Sequence, residues 1–141
     1  MDHSLKTHKA REAGLSSVEA AIFAPLLFLL IFGVLEYSWA FLKIQQINGA
    51  ARRCARLGII EGATIAELTA FVNVVMTDAA LAGSGYTVTL TPADPSMLLA
   101  GDILRVDISV PYANIDLFGI PLIPTPANLV ASTSMAMETP R

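Results

Sequence analysis

Few side chains in this sequence are suited to bond-making chemistry, and their positions argue against it. Both histidines, His3 and His8, fall within the first ten residues, so the remainder of the chain has no imidazole for acid–base work or metal ligation. Cys54 is the one cysteine, which excludes an intramolecular disulfide. It falls among arginines in a helical pattern, where a small buried residue is the expected role and a reactive thiol the alternative. No glycine-rich phosphate loop and no paired His/carboxylate helix motif is present. Asp78, Asp94, Asp102, Asp107 and Asp116 are scattered near expected turns and strand exteriors, as solvated turn formers are. Two carboxylates stand apart. Glu19 opens an apolar stretch and Glu36 interrupts it, and a charge facing lipid is costly unless it is paired. The chain is therefore expected to have no catalytic residue, cofactor or metal, and to use these carboxylates for ionic contacts.

The element that holds both is unusually apolar. Ala20 to Leu35 is a run of sixteen residues with no polar side chain, and after Glu36, Tyr37 and Ser38 it resumes at Trp39 to Leu42. Residues 18–42 are long enough for the ~20 residues a helix needs to cross a bilayer. Tyr37 and Trp39 lie toward the far end, where amphipathic rings favour the interface. Pro25 and Gly33 would penalise a helix in water. In lipid they are tolerated, because an unwound backbone has no water to satisfy it. The span accounts for the bulk properties: 141 residues, 54% hydrophobic and 15% charged, against about 25% charged in a typical soluble domain. A net charge of −3 is too slight to imply a nucleic-acid or acidic-lipid partner by itself, and no nucleic-acid partner is expected.

Past the span, Ile44, Ile47, Ala51, Cys54 and Leu57 recur at helical spacing, with Lys43, Gln46, Arg52, Arg53 and Arg56 largely on other faces. A helix over 15–60 is expected, about 70 Å long, ending near Gly58 and Gly62. Thr64 and Glu67 form a capping-box signature for a second helix, with Ile65, Leu68, Val72, Val75 and Met76 as its apolar face and Gly83-Ser84-Gly85 as its stop. Strands are expected at 86–91, at 104–110 before Pro111, and at 129–138. The fold class is α+β: a long N-terminal helix continuing into a small outer domain, 63–141, with a three-stranded antiparallel sheet covered on one face by helix. Between the last two strands, Ile115, Leu117, Phe118, Ile120, Leu122 and Ile123 lie among Pro111, Pro121, Pro124 and Pro126. This loop closes the core or, alternatively, offers a docking surface.

Before the span, Met1 to Gly14 is polar, without apolar periodicity, and is expected to be irregular. Gly14-Leu15-Ser16-Ser17-Val18-Glu19 at the polar-to-apolar boundary resembles a type IV prepilin leader. Val18-Glu19-Ala20, Ala24-Pro25-Leu26-Leu27-Phe28-Leu29-Leu30 and Phe32-Gly33-Val34-Leu35-Glu36-Tyr37 resemble the start of the TadE-like pseudopilins. These are minor components of the tight-adherence (Flp-type) pilus system of bacteria. Gln45 to Arg56, with small residues between arginines, is similar to that family's segment after the span. Ala20 after Glu19 departs from the major Flp pilins, which carry tyrosine there, and favours a minor pseudopilin.

The resemblance implies a cytoplasmic leader, 1–14, removed by a prepilin-type peptidase between Gly14 and Leu15. It implies an inner-membrane, single-pass chain with the outer domain periplasmic or extracellular, built into or beneath a pilus. Partners would be the bilayer, other pilins or pseudopilins and pilus assembly proteins. The freed amine of Leu15 and the Glu19 carboxylate could neutralise each other within one chain or between packed helices. Ala21, Gly33 and Ala40 are small enough for close helix approach. Lys6, Lys9 and Arg11 before the span are matched by Lys43, Arg52, Arg53 and Arg56 after it, so basic residues alone leave the orientation open. The alternatives are a membrane-anchored binding module outside any pilus, and a secreted domain released after Ser38-Trp39-Ala40. Glu19 also suits the acidic first turn of any helix.

Overall fold

Helix α1 (His3–Gly58) takes up the whole apolar run and continues beyond it. The structure is a computed structural model that describes residues 3–60, 63–119 and 124–137, with side-chain surroundings from residue 18 onward. The expectations placed on Gly62, Ile120, Pro121, Leu122, Ile123 and Glu138 lie outside the described residues. α1 starts at His3, inside the segment expected to be irregular. Leu5, Lys6, Lys9, Ala10, Arg11 and Glu12 are good helix formers. A segment joined to a formed helix needs only propagation, one hydrogen bond per residue fixed, so apolar periodicity was the wrong criterion there. α1 passes through Pro25 as helix.

Two compact units follow, Met1–Tyr37 and Ser38–Arg141. In the second, α1 is joined by α2 (Ile65–Asp78) and by strands β1 (Thr87–Thr91), β2 (Ile103–Pro111) and β3 (Asn128–Ala136). The sheet order is β1-β2-β3, antiparallel throughout, with Val88 opposite Ile108 and Ser109 opposite Val130. One face is buried. Leu104, Val106, Ile108 and Val110 point inward from β2, Leu129 and Ala131 from β3, and they meet Ile47, Ala50, Ala51, Cys54 and Ala55 of α1 with Leu68, Val72, Val75 and Met76 of α2. Gly58 ends α1 where three elements converge. A Cβ there would come within 2.3 Å of Leu104 Cδ2 and 3.0 Å of Leu68 Cδ2, so only glycine lets the layers close to this distance.

α2 starts as its sequence requires. The Thr64 hydroxyl accepts from the Glu67 amide, and the Glu67 carboxylate accepts from the Thr64 amide at 3.0 Å. Its end differs from expectation. α2 stops at Asp78, five residues before Gly83, and Ile65 at its first position is exposed. Leu81 N–H donates to Met76 O at 2.8 Å and Ala80 N–H to Thr77 O at 2.9 Å, closing a Schellman motif. Ala80 takes the left-handed position (φ 53°) that glycine usually fills. The left-handed conformation costs an L-residue ~1–2 kcal/mol, against a glycine entropy loss of up to ~1 kcal/mol. Ala80→Gly is therefore expected to stabilise the chain by roughly 0.5–1 kcal/mol. Urea unfolding of the full chain in detergent would check it, and a lower midpoint would refute it.

Candidate functional site

The side chains of the apolar run make an exposed surface. Every large apolar side chain from Val18 to Leu35 is between 40% and 62% exposed. A core helix of a soluble protein would be mostly covered; this one is long and apolar enough to cross a membrane, and none of its apolar window is buried. A continuous apolar face of this length exceeds what soluble monomers show in water. Gly14 and Leu15 lie in α1, in the part whose side-chain surroundings are undescribed. Glu19 is exposed on the helix, whereas Glu36 is 6% exposed. The two carboxylates that sequence treats alike therefore have different surroundings.

From Ser38 onward α1 changes partners. Trp39, expected at the membrane interface, is half-buried, and its indole Nε1–H donates to Ile115 O at 2.7 Å. Lys43, expected on an outer face, is buried. Its Nζ sits 4.7 Å from the Trp39 ring centroid and donates to Ala79 O at 3.3 Å. Ala79 caps α2, which has no basic residue in its own last turn. Lys43 thus places a cation at the negative end of α2's dipole and satisfies a carbonyl left over at the helix end. Its methylene stem covers apolar surface on the way. Periodicity could not find this, because it counts every lysine as an outward residue.

The remaining candidates for chemistry are structural. Cys54 is fully buried, beyond residues 18–42, and burial pushes its thiol up to about 11. It stays a neutral thiol at physiological pH, which is the structural role expected of it. It lies at the base of a groove of about 320 Å³ between α2 and β1, rimmed by Ile65, Val72, Val88 and Leu90. On the outer face of β2, Arg105 Nε bonds Asp107 at 2.9 Å. The Ser132 hydroxyl, and then Arg105, hold the Asp107 carboxyl below the usual range. That contribution is present above the ordinary carboxylate pKa of ~3.9 and fades as pH falls through the lowered value. Among the described residues no three of His, Cys, Asp and Glu gather as a metal site would require. In the proline-punctuated loop Ile115 is buried while Leu117 and Phe118 are exposed, so part of it closes the core.

The family model of TadE-like proteins matches residues 14–56. The match runs along α1 from the glycine of the leader-like motif to the last of its arginines, the stretch on which the sequence resemblance rests. It stops before α2 and the sheet. TadE-like proteins are a pilus-associated structural family, so the match links this helix to tight-adherence pilus function and, with its exposed apolar surface, to membrane anchoring. No characterised protein sequence and no solved structure matches the chain.

Proposed function

We propose that the chain is a pseudopilin-like, non-enzymatic component of tight-adherence pilus biogenesis. It is a single-pass protein of the bacterial inner membrane, with its N-terminus cytoplasmic and its C-terminal domain periplasmic or extracellular. The observation that carries this is the coincidence of three boundaries. The family match begins at Gly14, the polar leader-like segment ends there, and Glu19 stands immediately before the uncharged run from Ala20 to Leu35. A prepilin-type peptidase would cut between Gly14 and Leu15. The new amine would then stand four residues from Glu19, about 6 Å along the axis. Glu19 is exposed on the single chain, so a neighbouring pilin-type helix can reach it. Glu36, the second carboxylate proposed to seek a partner in the helix bundle, is 6% exposed on the single chain. A domain released after Ala40 would leave behind Trp39, whose indole bonds Ile115.

Intact mass and N-terminal sequencing of the protein recovered from membranes test the reading. A chain beginning at Leu15 is expected. A chain beginning at Met1 would return the anchored binding module to first place, and one beginning at Phe41 would remove the span altogether.

A further inference from the structure

The second compact unit, Ser38–Arg141, has two ends fixed by contacts within it. At one, the Trp39 indole bonds Ile115 O; at the other, Gly58 meets Leu104. From Trp39 to Gly58, α1 rises about 28 Å. β2, with nine residues, covers a similar length of about 30 Å, and so carries the chain from the Gly58 end back to the Trp39 end. Two segments close that end: the turn after α2, whose Ala79 O accepts from Lys43, and the loop after β2. Asn114 ties them together, donating from Nδ2 to Ser84 O at 2.9 Å.

The large side chains turned outward by that loop are apolar. Ile115 is buried, and beyond it Leu117 and Phe118 are 42% and 38% exposed. No lysine or arginine occurs in residues 79–85 or 112–119, and the charged residues in and beside these segments are Asp78 and Asp116, both acids. Arg52, Arg53 and Arg56 come thirteen to seventeen residues past Trp39, roughly 20–25 Å farther along α1. Anionic headgroups are therefore not what this end attracts. Two large apolar side chains suit an apolar partner.

We propose that the Trp39 end of this unit rests on the bilayer that α1 crosses, with Leu117 and Phe118 entering the lipid interface. The proposal rests on the membrane-anchored reading alone and deepens it by naming a second contact with lipid. Chain length places the interface. Val18 to Tyr37 is twenty residues, about 30 Å of helix, which is the thickness of a hydrocarbon core. Trp39 follows two residues later, about 3 Å along the axis, and the Ile115 carbonyl is bonded to it. The anchor is thus followed, within one helical turn, by the attachment point of the loop that carries Leu117 and Phe118. Asp116 sets the depth, because its carboxylate stays among headgroups and water. Exposure alone would choose other residues. Met97 and Leu99 are 76% and 73% exposed, but the Leu99 amide bonds Asp102, beside the start of β2 at the Gly58 end. They stay in water.

The test attaches a thiol-reactive fluorophore to single sites of the full-length chain in phosphatidylcholine vesicles. Cys54 is buried and its thiol neutral, so the unsubstituted chain serves as the blank. Leu117→Cys, Phe118→Cys, Leu99→Cys and Phe28→Cys are compared by quenching from lipids spin-labelled at shallow or deep acyl positions. Shallow quenching at the Leu117 and Phe118 sites is expected to exceed that at the Leu99 site by roughly threefold or more, since apolar groups seated in an interface lie ~5–10 Å deep. Anionic phosphatidylglycerol mixed into the vesicles is expected to leave that ratio unchanged. Quenching no greater than at the Leu99 site, or quenching that appears only with phosphatidylglycerol, would overturn the proposal. The Phe28 site reports the span itself. If it is quenched by deep labels while the Leu117 and Phe118 sites are not, the interface contact falls and the anchored reading stands. If it escapes deep quenching, the anchored reading falls and takes the contact with it.

Discussion

Replacing Glu19 with alanine is expected to abolish association with pilin-type partners while leaving membrane insertion unchanged. The carboxylate lies at the mouth of the span and is exposed on the isolated chain, where lipid gives it no compensation. Pairing with the amine of a processed neighbour, or with the chain's own amine in a packed bundle, removes that cost. Deleting one member of a pair held away from water costs about 3–5 kcal/mol, because the other charge is left behind. At 1.4 kcal/mol per tenfold, that is more than a hundredfold in association. Insertion is driven by the apolar residues from Ala20 onward, which the substitution leaves in place. Glu19→Gln keeps the shape and removes the charge, so it is expected to behave like alanine. Co-purification with pilus proteins against a membrane-flotation control reads both effects. Undiminished association of the alanine variant would end the pairing account.

How much of this could be read beforehand depended on whether the cause was local. The capping box of Thr64 and Glu67 needs only three residues of spacing, and it stands as expected. β2 alternates Leu104, Val106, Ile108 and Val110 against Arg105, Asp107 and Ser109, a period that only a strand with one buried face satisfies. The end of α2 was misread because its left-handed residue is Ala80, and alanine carries no stop signal. Lys43 was misplaced because its partner, the Ala79 carbonyl, is 36 residues away. The same holds for Trp39 and Ile115, 76 residues apart. The difference between Glu19 and Glu36 is likewise a fact of packing, since both are glutamates in apolar company. Motif and period carried the helix and the strands; long-range pairing decided which charged and aromatic residues the domain would claim.

Leu104→Ala is expected to cost the domain about 3–4 kcal/mol. Leu104 is fully buried on the central strand, between α1 and α2. Its Cδ2 occupies the notch that Gly58 leaves open, so close that a Cβ on Gly58 would lie 2.3 Å away. Truncation empties that notch, and its walls are the end of α1, Leu68 and the sheet itself, none of which can move inward alone. A loss of this size is a large fraction of the ~5–15 kcal/mol that holds a domain together. At roughly 4–8 °C per kcal/mol it lowers the melting temperature by about 12–30 °C. Circular dichroism melts in detergent would measure it. Gly58→Ala alone is also expected to destabilise, by ~1–3 kcal/mol, since its methyl must push Leu104 aside. In the Leu104→Ala background the same methyl enters the vacated space. The double variant should therefore lose at least about 1 kcal/mol less than the sum of the two singles. Additive losses would show that Gly58 and Leu104 do not share this contact, and that the small residue ends α1 for some other reason.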